Sequence, residues 1–254
     1  MNYMREMTIG DILKSSFGIY FKHFGTLFSI SFASLLIIIF SVGIVFLLFL
    51  APSIAFPSSD AAQVLAVIGV IIAYFLYLFG LSLLPAASTV AISEITLGNK
   101  PSFTRAYKRV FGALLGKLFA TSLLYSLILI VGLILLIIPG IYFMIKYILA
   151  TTVVVLENIW GRDALKRGGE LVKGYYGRVF GVYFLFFGAL IIVYMMIYLI
   201  SIITAGEAAG MFIYFIFIFI ILPVGVIPIV LMYYDLRVRK EGYDTAALAE
   251  DLQH

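Results

Sequence analysis

Long apolar runs alternate with short basic segments along this chain, and the alternation dictates a membrane topology. Sixteen of the seventeen Lys and Arg residues lie in four segments: 1–24 (Arg5, Lys14, Lys22), 98–117 (Lys100, Arg105, Lys108, Arg109, Lys117), 161–178 (Arg162, Lys166, Arg167, Lys173, Arg178) and the tail (Arg237, Arg239, Lys240). The connections at 51–63, 139–140 and 205–210 carry neither residue. Basic residues in short loops mark the cytoplasmic side. The pattern therefore predicts six crossings of the plasma or inner membrane, with both termini in the cytoplasm. The expected spans are 26–50, 64–90, 117–138, 141–157, 178–203 and 211–233, against the roughly 20 residues that cross hydrocarbon. Backbone groups in lipid must bond internally, so the spans are helices, and continuous apolar runs exclude a strand barrel.

With 64% apolar residues, 12% charged residues and a mean hydropathy of +1.16, no soluble fold hides enough apolar surface. One all-α transmembrane domain, 1–254, is expected, with no room for a separate catalytic module. Cysteine is absent, which removes disulfides and thiolate chemistry. The formal charge of +4 gathers on one face, which points to anionic lipid headgroups as partners and away from nucleic acid.

Laying the basic segments over one another reveals a repeat. Gly25-Thr-Leu-Phe28, Gly116-Lys-Leu-Phe119 and Gly177-Arg-Val-Phe180 each open an odd-numbered span. A basic residue precedes each Gly by eleven positions (Lys14, Arg105, Lys166), and an expected helix N-cap by fourteen (Asp11, Ser102, Asp163). Each unit reads as an interfacial amphipathic helix followed by a transmembrane hairpin, with units near 8–97, 98–160 and 161–234 and a cytoplasmic tail 235–254. The second copy shows the apolar stripe best: Phe103, Ala106, Tyr107, Val110, Phe111, Leu114 and Leu115. Gly168 and Gly169 dilute the third. Gly242-Tyr-Asp244 echoes Gly161-Arg-Asp163, as if a fourth such helix began in the tail.

Several stretches together resemble a known family. Thr8-Ile-Gly-Asp-Ile-Leu13 with Phe24-Gly-Thr-Leu27, Pro139-Gly-Ile-Tyr142, Glu157 with Asp163-Ala-Leu-Lys-Arg167, and above all Tyr233 to Asp244 resemble the membrane domain named after bacterial glycerophosphoryl diester phosphodiesterases. The likeness covers essentially the whole chain. It implies a stand-alone copy of that domain without the catalytic barrel, so the phosphodiesterase chemistry is not carried over.

Residues able to do chemistry are few. His23, in an interfacial helix, and His254 are the only histidines, too few for a His-based acid/base or metal site. No nucleotide loop or nucleophile elbow is present. An enzyme is not expected, nor a cofactor or a metal. Glu94, Glu157 and Asp235 close the even spans and are expected to pair with Arg and Lys of the interfacial helices, or to form a three-carboxylate ring. Lys146 is the one basic residue inside a span. Placed about 9 Å below the outer end by helix rise, it either snorkels beside Tyr142 or faces inward to bind an anion or pair with Asp60 or Glu207. Pro85, Pro223 and Pro228 interrupt helices, for packing or for a transport site. Gly112-x-x-x-Gly116 and Gly177-x-x-x-Gly181 permit close helix approach.

Three functional readings follow. In the first, a non-enzymatic module organises anionic lipid or a protein partner at the inner leaflet through Lys146, Arg105, Lys108, Arg109, Lys166, Arg167 and the tail. The second is a small-solute or lipid transporter with a polar cavity lined by Ser82, Ser88, Lys146 and proline-freed carbonyls. The third is an accessory to a glycerophosphodiester phosphodiesterase.

Overall fold

The computed structural model describes residues 3–252. Every regular element among them is helical. Helix α1 (Ile9–Lys22) begins at Thr8, whose hydroxyl accepts from the Asp11 amide at 3.1 Å while the Asp11 carboxylate accepts from the Thr8 amide at 3.0 Å. Asp11 thus closes a reciprocal capping box from the third helical position. It is not itself the cap, as its spacing suggested. The chain turns at His23 into α2 (Phe24–Val45), which runs on through a widened turn to the short α3 (Ala51–Ala55). It returns as α4 (Asp60–Thr96), capped by Ser59.

Next come α5 (Phe103–Arg109), capped by Ser102 as expected, then α6 (Leu115–Leu135), α7 (Ile137–Tyr147) and α8 (Ala150–Glu157). Here the hairpin turn is not at Pro139-Gly140. It is made by Leu136 alone, in an extended conformation, and Pro139 lies in the first turn of α7, where its missing N–H has no partner to lose. Gly132 and Gly140 make so tight a reversal feasible: a Cβ on Gly132 would stand 3.2 Å from the Gly140 Cα. The fourth span is broken at Ile148–Leu149, between α7 and α8.

After these come α9 (Gly161–Val172) and α10 (Tyr176–Ile221). Asp163 lies inside the first turn of α9, while Trp160 holds the cap position without a side-chain bond. Within α10 the chain reverses at Gly206, whose φ of 76° belongs to the left-handed side that glycine adopts freely. Beyond it Tyr198 and Tyr214 stack edge to face at 5.4 Å. The return path tightens into a 3-10 turn over Leu222–Gly225, and α11 (Ile227–Glu241) and α12 (Thr245–Asp251) complete the chain. Pro223 belongs to that turn and Pro228 to the first turn of α11. Only Pro85 sits within a continuous helix. The Tyr20 hydroxyl donates to the Ile220 carbonyl, three residues before Pro223.

Among the described residues five stretches are long and apolar enough to cross a membrane, Phe24–Ala55, Asp60–Thr96, Phe103–Leu135, Ile137–Glu157 and Tyr176–Thr204, and the expected sixth, 211–233, is not one of them. The protein is an all-helical polytopic membrane protein. Its packing differs between its two ends. Toward the hairpin turns, large apolar side chains such as Phe40, Val67, Ile134, Ile138 and Ile203 face outward, at no cost where the surroundings are hydrocarbon. At the charged end, 86–94 of α4, Val153–Leu156 of α8 and 230–236 of α11 are buried, and these three helix ends touch one another. The core therefore sits where the polar residues are.

Small residues let the hairpins close. Their positions differ from the two expected motifs: around Gly112, Gly116 and Gly177 there is open space, whereas Gly80 lies directly against the Ile38 side chain. Gly80→Val should therefore force α2 and α4 apart, lowering stability by about 1–3 kcal/mol. Thermal unfolding in detergent measures the loss, and Ile38→Ala in the same chain should restore part of it.

Candidate functional site: the charged end and a lysine-lined cleft

Glu94 and Glu157, at the ends of α4 and α8, and Asp235, within α11, each meet an arginine. Glu94 accepts from Arg105 Nε at 2.6 Å and from the Ser102 amide at 2.8 Å. Glu157 accepts from Arg167 Nε at 2.7 Å and from the Tyr233 hydroxyl at 2.9 Å. Asp235, fully buried, accepts from Arg178 Nε at 2.8 Å, Arg239 Nε at 3.0 Å and the Met7 amide at 2.7 Å. The first two pairs follow one pattern, with the arginine ten or eleven residues beyond the acid. The third instead reaches back to Arg178 at the start of α10, and one turn along α11 to Arg239. Among the described residues no three acidic or histidine side chains gather as a metal ion needs, so the carboxylate ring does not form. His23 stands at the α1–α2 junction, and His254 lies outside the described residues.

The tail is folded back onto the body. Arg109 donates to the Leu252, Asp251 and Val155 carbonyls at 2.6, 2.9 and 3.0 Å. Arg237 bonds Glu241 at 2.9 Å and Asp251 at 2.8 Å, with its guanidinium 3.7 Å from the centre of the Tyr243 ring. Burial works to raise the Glu241 carboxyl, but the bonds and charges of Arg167 and Arg237 outweigh it and hold it below its ordinary range. Asp244 caps α12, accepting from the Ala247 amide at 2.9 Å, so the echo of Gly161-Arg-Asp163 does begin a helix. Expected as a free cytoplasmic extension for a partner, the tail over 235–252 is part of the packed end.

Because these arginines have internal partners, three expected lipid ligands change role. Arg105 and Arg167 anchor carboxylates, and Arg109 holds α12 in place. Lys108 and Lys166 remain exposed. The apolar stripe of α5 is used in part for packing within the protein. Tyr107 is buried and donates to the Ile30 carbonyl at 2.8 Å, fixing α5 against α2.

Lys146 is also elsewhere than expected. It follows the hairpin turn at Leu136 by ten residues, about 15 Å of helix, and lies just before the break at Ile148–Leu149, against α9. A Cβ on Gly169 would stand 3.3 Å from Lys146 Cε, and one on Gly168 3.4 Å from the Ala150 amide nitrogen. The glycine pair is thus the contact surface that brings α9 onto α7 and α8, and does not dilute it. Asp60 and Glu207 do not reach Lys146. Its ammonium stands 5.7 and 5.2 Å from the ring centres of Tyr142 and Tyr147, within cation–π range.

Around Lys146 opens a cleft of about 690 Å³. Arg162, Lys166 and Lys173 line it from α9, with Glu170 the one carboxylate. Leu124 and Ile128 of α6 form an apolar wall, and Tyr142 and Tyr176 face each other at 5.6 Å. No ion pair engages Lys146, Arg162, Lys166 or Lys173 among the described residues. Arg162 and Lys173 were absent from the sequence candidates. Their signal was present, since 162, 166, 170 and 173 form one stripe opposite buried Ala164, Leu165, Gly168, Leu171 and Val172.

No family model matches the chain, and neither do curated proteins or solved structures.

Asp235 offers the sharpest test of this end. Asp235→Ala leaves Arg178 and Arg239 without their shared partner and releases Met7. Losing one member of a buried pair costs about 3–5 kcal/mol. The expected outcome is a lowered melting temperature in detergent together with faster proteolysis of residues 3–8.

Proposed function

We propose that this chain is a non-enzymatic membrane module that gathers anionic lipid at the inner leaflet. It crosses the membrane six times as three repeats, with both ends of this chain in the cytoplasm, and is a relative of the membrane domain it resembles. The observation that carries the lipid reading is the cleft: four cations and one carboxylate without ion-pair partners, beside an apolar wall. Elsewhere at this end, arginines are matched by carboxylates or carbonyls. Unmatched charge at a membrane boundary is stabilised by anionic headgroups, each cation near the surface contributing about 1 kcal/mol.

Two observations support the topology. Met7 and Glu6 bond Asp235 and Arg239, so the two chain ends share one side, which an even number of crossings requires. That side also holds the basic segments. A chain without cysteine suits impermeant thiol labelling: single cysteines at positions 57 and 207 should label from outside intact cells, and one at position 240 only after lysis.

The transport reading finds less support. Ser82 donates to the Phe79 carbonyl at 2.7 Å, Ser88 is buried in packed surroundings, and Lys146 lies in the peripheral cleft. These residues do not share a cavity. Native mass spectrometry of gently extracted protein tests the lipid reading. Anionic phospholipid should remain bound to the wild type and be largely lost from Lys146→Met/Lys166→Met. Equal retention by both proteins, or none by either, would remove it.

A further inference from the structure

The cleft's charge and depth narrow its occupant. On α9, Arg162, Lys166 and Lys173 are exposed along one face, and Lys146 closes the ring from α7. Against these four positive charges stands Glu170 alone, whose carboxylate forms no ion pair with any of them among the described residues. The formal local charge is thus three positive, from four cations and one carboxylate. A phosphodiester with one negative charge leaves most of it unmatched.

Depth supplies the second constraint. Lys117 at the start of α6 bonds the Asn158 side chain at 2.7 Å, at the charged end. From there Leu124 and Ile128 lie seven and eleven residues along the same helix, about 10 and 16 Å toward the hydrocarbon. The cleft therefore joins the cations of α9 to an apolar wall that runs toward lipid tails, with Lys146, ten residues past Leu136, standing at the depth of that wall. A free anion needs only the mouth. An amphiphile uses both parts, and the volume of about 690 Å³ falls within the usual range for small-ligand sites, roughly 300–1,000 Å³.

Resting on the lipid reading above, we propose that this cleft selects an amphiphile carrying two phosphates, its headgroup held by Lys146, Arg162, Lys166 and Lys173 and its chain lying over Leu124 and Ile128. Two bridged phosphodiesters and a diphosphate monoester share this chemistry. Lysine on a flexible stem meets either as a point charge, while Arg162 offers a planar fork for paired oxygens.

The test is competition by native mass spectrometry on the full chain in detergent, loaded with phosphatidylglycerol. The competitors are cardiolipin, a polyprenyl diphosphate and inorganic pyrophosphate. At least one two-phosphate lipid should displace phosphatidylglycerol at about fivefold lower concentration than phosphatidylglycerol itself, the order expected for one further charge contact. Which lipid does so distinguishes the two sources. Lys146→Met should abolish the preference, and Lys173→Met, on an exposed position, should reduce it even if the former folds poorly.

Equal binding of cardiolipin, polyprenyl diphosphate and phosphatidylglycerol would overturn the two-phosphate selection while leaving the lipid reading standing. Displacement by inorganic pyrophosphate as effective as by either lipid would overturn the role of Leu124 and Ile128. Retention of no anionic lipid at all would instead remove the lipid reading itself.

Discussion

Three carboxylates, two at helix ends and one within α11, organise the charged half of this protein, and Asp235 is the most demanding of them. A fully buried carboxylate is tolerated only when its oxygens are supplied with donors. Arg178, Arg239 and the Met7 amide supply them, and in doing so tie the start of the chain, the start of α10 and the end of α11 to one point. Glu94 and Glu157 do the same for the α4–α5 and α8–α9 connections. These pairs add to the apolar contacts of the short basic helices, such as Tyr107 against α2 and Gly168 and Gly169 against α8 and α7.

That arrangement inverts the usual distribution of a soluble protein. Near the hairpin turns the helices present Phe, Ile and Leu outward and have few buried side chains. At the opposite end the helices converge and bury nearly everything, including polar Ser93, Thr89 and Tyr234. Ser93 and the Tyr234 hydroxyl lie 2.8 Å apart, so the polar groups in this layer largely satisfy one another. Charge left over after such pairing is the informative kind. Four such cations, Lys146 among them, share one cleft, where α9 lies close to α7 because Gly169 carries no side chain.

Much of this was legible in the residues themselves. Long helices, their approximate limits and a charged face follow from apolar run length and Lys/Arg position, which depend on composition over many residues. Ser102 as a cap and Asp244 as the start of a last helix were readable locally, since a capping bond spans three residues. Asp11 misled because a capping box places an acid inside the helix as readily as before it. Pro139-Gly140 misled because proline suits a first helical turn as well as a reversal, and only the approach of Gly132 to Gly140 fixes the turn at Leu136.

The candidate site was legible in part. Lys146 stood out as a charge within an apolar run, but its surroundings depend on the break at Ile148–Leu149 and on α9 folding back along α8. That Glu94 and Glu157 pair with arginines of the following basic helices was expected, but which arginine each takes, and that Arg109 holds α12, depend on the packed structure.

The amino-acid order by itself determined that this chain is helical, lives in a membrane and carries its charge on one face. These properties follow from the cost of exposing peptide groups and ionised side chains to hydrocarbon, and that cost is additive along the chain. Tertiary structure alone decided which cations are neutralised and which remain open to a ligand. Pairing depends on distances of 3 to 4 Å between residues up to 228 positions apart, and no local pattern encodes such distances.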